Sequence, residues 1–208
     1  MATYFTTGTT PSTFVFIGRS GSGKGTQIAL LKDFLEAHGS QPVLAVETGN
    51  RFRSFIEESS YSANLSKEVM EAGIRQPDFL AVWTWSVELV DKARGNEHFI
   101  FDGTPRSLPE ALVLDTALNF YNQTAVYIIY LDITHTTAYD RLIARGRNDD
   151  TPDNIEKRLA WFDRDVAPVV EWYQNHSSHK FLHIDGSESI ETIHQNLLKL
   201  LFHDQIKD

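Results

Sequence analysis

Short apolar runs alternate with longer amphipathic stretches along this chain, and the two patterns predict different elements. Phe14-Val15-Phe16-Ile17 is β-branched and aromatic and stops at Gly18, which predicts a strand. Val43 to Val46, Phe99 to Phe101, Val126 to Leu131 and Phe181 to Ile184 have the same character. Their near-continuous hydrophobicity, without clean alternation, is what strands covered on both faces require. Between them, Thr26 to Ala37 places Ile28, Leu31 and Leu35 at helical spacing. Asp78 to Ala93 has Pro77 before it and Gly95 beyond it, both where a helix favours them. Asp153 to Tyr173 carries Leu159, Phe162, Val166 and Val170 on one stripe and predicts a single long helix. Strands alternating with helices imply a parallel sheet wrapped by helices. Gly49 to Ala93 is helix-rich and has no strand of its own, so it predicts a helical insertion between the second and third strands.

Composition adds bounds to this picture. The 208 residues, 41% of them hydrophobic, suit one α/β domain with a sizeable core. A formal net charge of -9 argues against a general nucleic-acid or membrane-surface binder. An anionic ligand would therefore have to meet a local cluster of arginines. With no cysteine, disulfides, thiolate zinc sites and cysteine nucleophiles are excluded. No run approaches 18 apolar residues, and residues 1–13 are polar and Thr-rich, which predicts a loose tail before a single domain over 14–208. The expectation is a soluble, cytoplasmic monomer without nucleic-acid or membrane partners.

The strongest local motif is Gly18-Arg19-Ser20-Gly21-Ser22-Gly23-Lys24-Gly25-Thr26, directly after a predicted strand and opening a predicted helix. Glycines let backbone N–H groups turn inward around phosphate oxygens, and a helix N-terminus adds its positive end. Lys24 supplies a full charge toward the terminal phosphates. A Gly/Ser-rich surface turn has a similar composition; the flanking strand and helix set this one apart. Phe99-Ile100-Phe101-Asp102 is an apolar strand ending in a carboxylate, the placement of a magnesium-holding aspartate beside such a loop.

From Phe14 to about Leu201 the chain resembles the adenylate kinase family of nucleoside monophosphate kinases. Gly-Lys-Gly-Thr-Gln at 23–27 is similar to the family's version of the phosphate loop, and Asp102-Gly103-Thr104-Pro105-Arg106 resembles its Asp-Gly-Phe-Pro-Arg signature. Glu47-Thr48-Gly49-Asn50-Arg51-Phe52-Arg53 resembles Ser-Thr-Gly-Asp-Leu-Leu-Arg. Arg141, Arg145, Arg147-Asn148-Asp149-Asp150 and Arg158 resemble the lid and the helix after it. The resemblance implies a three-layer P-loop NTPase fold: a five-stranded parallel sheet, an acceptor-binding insertion over about 47–93, and a very short lid over about 145–152. It implies ATP and a nucleoside monophosphate as substrates and Mg2+ as cofactor. Lys24 with Gly21, Ser22, Gly23 and Gly25 would hold the ATP phosphates, and Thr26 and Asp102 would stand near magnesium. Arg141 would stack on the donor base, while Arg145, Arg147 and Arg158 would close on the transferring phosphoryl group. Arg53 and Arg106 would clamp the acceptor phosphate, with Thr48 and Gly103 shaping the pocket for its base and Gly49 also in the acceptor site.

Physical chemistry points the same way. Phosphoryl transfer leaves the protein mainly positioning and charge neutralisation, for which planar guanidinium forks are suited. A monophosphate oxygen is already ionised, so none of the eight histidines is needed as a base, and His135 is expected at the surface. Trp83 and Trp85 are expected in packing, with base stacking as the alternative. Three departures bear on the acceptor. Only Gly146 separates Arg145 from Arg147, so the lid is short and a leak of ATP to water is expected. Glu110 stands where adenylate-specific members carry glutamine; a carboxylate only accepts hydrogen bonds, which suits guanine better than adenine. Glu47, Asn50 and Arg51 replace Ser, Asp and Leu, and Glu47 is expected to pair with Arg51 or Arg53. AMP is the first choice of acceptor, followed by GMP and then CMP or UMP. The rival readings are a catalytically weak nucleotide-binding module and a kinase for a small alcohol, the latter lacking an identifiable base.

Overall fold

Parallel strands cannot be joined by hairpins, so each must be reached through a crossover, and here every crossover is helical. The computed structural model describes residues 11–147 and 149–202. Its strands are β1 (Ser12–Ile17), β2 (Val43–Glu47), β3 (His98–Asp102), β4 (Ala125–Asp132) and β5 (Lys180–Asp185). They form one sheet in the order β2-β3-β1-β4-β5, parallel at every pairing. Each strand outruns its predicted apolar stretch because polar end residues still pair, as Glu47 does with Asp102 and Asp132 with Asp185.

The loose tail expected over residues 1–13 does not hold at residues 12 and 13. Ser12 and Thr13 belong to β1: the Ser12 N–H donates to His98 Nδ1 at 3.0 Å and the buried Thr13 hydroxyl to Gln123 Oε1 at 2.9 Å. Residues 1–10 lie outside the described residues.

Alternating positions of the strands feed two cores. Phe14, Phe16, Ile100, Leu131 and Ile184 pack beneath α1 (Lys24–His38) and α9 (Ile190–Phe202). Val15, Ile17, Phe99, Phe101 and Ile128 face the other way, against α4 (Asp78–Lys92), α5 (Leu108–Phe120) and α8 (Ala167–His176). Phe14, Phe16 and Phe101 are wholly buried, each worth roughly 1.5–3 kcal/mol of transfer free energy, so the central strands anchor the domain. The insertion between β2 and β3 consists of α2 (Thr48–Phe55), α3 (Tyr61–Glu71) and α4, with a small core of Phe52, Phe55, Ala63 and Leu80. Trp83 packs on Phe55 and Trp85 lies in the main core.

After β4 come α6 (His135–Arg145) and α7 (Pro152–Trp161), packed on each other through Leu142 and Leu159. His135 pairs with Glu156 at the surface, 3.1 Å away. The single helix predicted over 153–173 is three pieces: α7, a π-helical turn at Phe162–Val166, and α8. Pro168 has no N–H to give to the carbonyl four residues back, so the helix widens and the Ala167 N–H reaches Phe162 O, five residues back.

Candidate active site

The carboxyl edge of the sheet is where chemistry can be placed, because loops and helix N-termini converge there. β1 runs into the glycine loop and then α1. Gly21 and Gly23 hold φ values of 84° and 93°, the left-handed region that glycine enters freely. A Cβ on Gly21 would also come within 2.9 Å of Ala138 O, so the loop lies hard against α6. Lys24 folds back over the loop and donates to Gly18 O at 2.7 Å and Arg19 O at 2.9 Å. Desolvation pulls its ammonium down to about 8, against the opposing field of Asp102.

Asp102 ends β3 beside the loop, and its carboxylate has no hydrogen-bond or ion-pair partner among the described residues. A cleft of about 1160 Å³ runs from the glycine loop to the helical insertion. Gly21, Ser22, Gly23, Lys24, Gly25 and Thr26 line its donor end, with Arg141, and Gly49 and Arg53 line its insertion end. Asp102, Arg106, Arg145, Arg147 and Arg158 also face it.

The cleft arginines other than Arg147 each have an identifiable partner for the side chain; Arg147 is bonded through its main chain, its N–H to Asp150 Oδ2 at 3.2 Å. Arg141 donates to Gly186 O at 2.9 Å, tying α6 to the turn before α9. Arg145 forks onto the buried Asp150 through Nε and Nη2 at 2.8 and 2.9 Å, and Arg158 reaches the same carboxylate at 2.5 Å. Burial alone would raise Asp150, but these hydrogen bonds hold its carboxyl down at about 2. The lid is consequently a tight connection, from the left-handed Gly146 cap of α6 to the Thr151 cap of α7, closed by the Asp150 N–H on Arg147 O at 2.8 Å. Asn148 lies outside the described residues. Arg53 donates to the Asn50 side chain, and Asn50 in turn donates to Glu47. Glu47 therefore meets Arg53 through Asn50, while Arg51 lies over the Trp83 ring, 5.6 Å from its centroid. Arg106 donates to Gly103 O and stands 5.7 Å from the centroid of Trp161.

Three expected base-pocket residues do not line the cleft. Thr48 is buried and spends its hydroxyl on Asp102 O at 3.0 Å, joining the ends of β2 and β3. Gly103 lies at φ 68°, and a Cβ there would come within 2.8 Å of an Arg106 Nη atom, so this glycine makes room for the guanidinium. Glu110 is wholly buried in the first turn of α5. Its carboxylate accepts the Arg106 N–H at 2.6 Å and the Thr104 hydroxyl at 3.2 Å. Burial raises its carboxyl above the usual range, with the Arg106 N–H pulling the other way. Glu110, expected to read a base, is placed with its carboxylate under the loop that carries Arg106.

Residues that sequence reasoning missed surround this set. Arg75 lines the cleft, held by Asp78 at 2.6 Å and Asp165 at 3.2 Å. Arg19 anchors the glycine loop to Ile133 O at 3.2 Å and to Asp163, over the ring of Phe162. An arginine two residues before a proline, or an aspartate in a long helix, carries no motif; only the doubled aspartates of Asp-Arg-Asp at 163–165 hinted at partners.

A glycine loop between β1 and α1, a carboxylate at the end of the adjacent β3, and a helical insertion facing them define a P-loop phosphotransferase. The adenylate kinase family model matches residues 16–178. The chain is 32% identical to the adenylate kinase of Prochlorococcus marinus (strain MIT 9515), over 83% of this chain and 90% of that protein. It is 31% identical to adenylate kinase 1 of Synechocystis sp. (strain ATCC 27184 / PCC 6803 / Kazusa), over 90% of this chain and 95% of that one. The adenylate kinase of Corynebacterium urealyticum (strain ATCC 43042 / DSM 7109) is 30% identical, with 88% and 96% covered. The chain belongs to the adenylate kinase family and is an ATP-dependent nucleoside monophosphate phosphotransferase.

Proposed function

We propose that the acceptor is AMP, so that the reaction is ATP plus AMP giving two ADP, reversibly. The observation that carries this reading is the convergence of Lys24 and five arginines (Arg53, Arg106, Arg145, Arg147 and Arg158) on one cleft of a chain whose net charge is -9. Such a cluster is costly to hold together unless anions enter it, and the two nucleotides supply several negative charges. With Glu110 buried, the argument that its carboxylate favours guanine loses its basis, and the relatives are named adenylate kinases.

In this reading Lys24 leaves the carbonyls of Gly18 and Arg19 for the ATP phosphates, joined by the N–H groups at the start of α1. Arg53 and Arg106 hold the acceptor phosphate in line. Arg145, Arg147 and Arg158 neutralise the equatorial oxygens as the phosphoryl group passes. The Thr26 hydroxyl and the unpartnered Asp102 carboxylate both face the cleft and suit Mg2+, which takes one or two protein oxygens and completes its shell with phosphates and water. When bound, that ion would neutralise charge on the donor phosphates.

The test is a coupled assay of ADP formation with ATP, magnesium and AMP, GMP, CMP, UMP or dTMP in turn. AMP turning over at least tenfold faster than the others, in kcat/KM, is the expected result. Another acceptor in first place would replace AMP, and acceptor-independent background alone would favour a nucleotide-binding module.

A further inference from the structure

The π-helical turn at Phe162–Val166 is the one irregular piece of an otherwise helical connection, and π turns recur at functional sites. Its residues reach out to both halves of the cleft. On one side, Arg19 of the glycine loop is bonded to Asp163 and lies over the Phe162 ring, 4.7 Å from its centroid. Arg19 O, on the same residue, is one of the two carbonyls that hold Lys24. On the other side, Asp165 accepts from Arg75 at 3.2 Å. Arg75 is also bonded to Asp78 at 2.6 Å, and Asp78 accepts the Ser107 hydroxyl at 2.6 Å, directly beside Arg106.

We infer that this turn is a junction with two separate arms: Asp163 positions the donor loop through Arg19, and Asp165 positions the acceptor side through Arg75. These are positioning residues, since neither aspartate lines the cleft. The arms diverge because the two carboxylates are two residues apart on a turn, so one faces the glycine loop and the other the insertion. The Arg75, Asp78 and Asp165 side chains are less than half exposed, so their ion pairs are screened less than surface pairs. Displacement of Asp78 below its ordinary range, through its hydrogen bonds to Ser107 and Arg75 and against the opposing effect of burial, agrees with a firmly held acceptor arm. Arg164 also forks onto Asp165, at 2.8 and 2.7 Å, but its side chain is 71% exposed and does not line the cleft, so that solvent-screened pair leaves Arg75 as the link to the site.

The inference rests on the assignment of donor and acceptor ends made above, and the experiment separates the two. Asp163→Asn, Asp163→Ala, Asp165→Asn and Asp165→Ala are compared with wild type for the KM of ATP and of AMP, alongside Arg53→Ala as a reporter of the acceptor end. Misplacing a binding group without removing it is expected to cost about fivefold to tenfold in the affected KM. Asp163 variants should raise the KM of ATP and leave that of AMP within twofold; Asp165 variants should do the reverse. Asp163→Glu and Asp165→Glu should recover part of each loss. A merely structural role would move both constants and the melting temperature together, and that outcome, or an exchange of the two effects, would overturn the junction. If Arg53→Ala spares the KM of AMP, the assignment of the acceptor end fails instead.

Discussion

Glu110 separates two accounts of acceptor choice, and its substitution by glutamine has a consequence that can be worked from the contacts. The glutamine oxygen can take the Arg106 N–H that Glu110 now accepts at 2.6 Å. The Thr104 hydroxyl, 3.2 Å away, can reverse and accept from the new amide, because a hydroxyl serves either way. Exchanging a charge-assisted bond for a neutral one costs about 1 kcal/mol. Relief of the buried carboxylate, whose raised pKa marks its desolvation, offsets part of that. The net change in stability should be within about 1 kcal/mol, or roughly 2–4 °C in melting temperature for a domain of this size. Glu110→Ala instead strands the Arg106 N–H and opens a void, costing about 2–4 kcal/mol, with the KM of the acceptor rising as the loop loosens. Neither substitution should reorder the acceptors, since Glu110 does not line the cleft. The raised folded pKa also has a sign. Folding favours the protonated carboxyl, so this group's contribution is present below its unfolded value and is lost as pH rises through the folded one. Glu110→Gln should lack that decline in a stability profile over mildly acid pH. A tenfold change in the ratio of AMP to GMP turnover in Glu110→Gln would refute the reasoning, because a residue under the loop cannot exchange base contacts.

Other expectations follow from the same contacts. Burial holds the Lys24 ammonium down at about 8, so kcat/KM for ATP should fall above that pH, while kcat should hold to higher pH because bound phosphates favour the charged ammonium. Asp150, held at about 2, adds stability above its unfolded value that is lost as pH falls through about 2. Asp150→Asn should lower stability by about 1–2 kcal/mol once solvent screening is allowed for, and should reduce kcat by unpinning Arg145 and Arg158; a wild-type melting temperature would refute this. The tight turn from Gly146 to Thr151 leaves little chain to cover the site, so ATP hydrolysis without acceptor should be measurable in a phosphate-release assay, and its absence would show that the closed site still excludes water.

The sequence by itself determined the sheet, the glycine loop and the cationic set. Uninterrupted apolar runs such as Phe14 to Ile17 have no home except between two layers, and glycines at 21 and 23 next to Lys24 specify a phosphate loop through local backbone geometry alone. What it could not assign were roles that depend on where a side chain points. Glu110 and Thr48 occupy motif positions, yet one turns under the Arg106 loop and the other bonds the Asp102 main chain, because α5 and the end of β2 pack against β3. Arg75 and Arg19 reach their carboxylates across 90 and 144 residues of chain, a pairing no local pattern encodes. The π turn was hidden for a related reason: Phe162, Val166 and Val170 keep a helical stripe, and the widening forced by Pro168 preserves their burial while redirecting Asp163 and Asp165. Local sequence sets which groups are available, and packing between distant elements sets which way each of them faces.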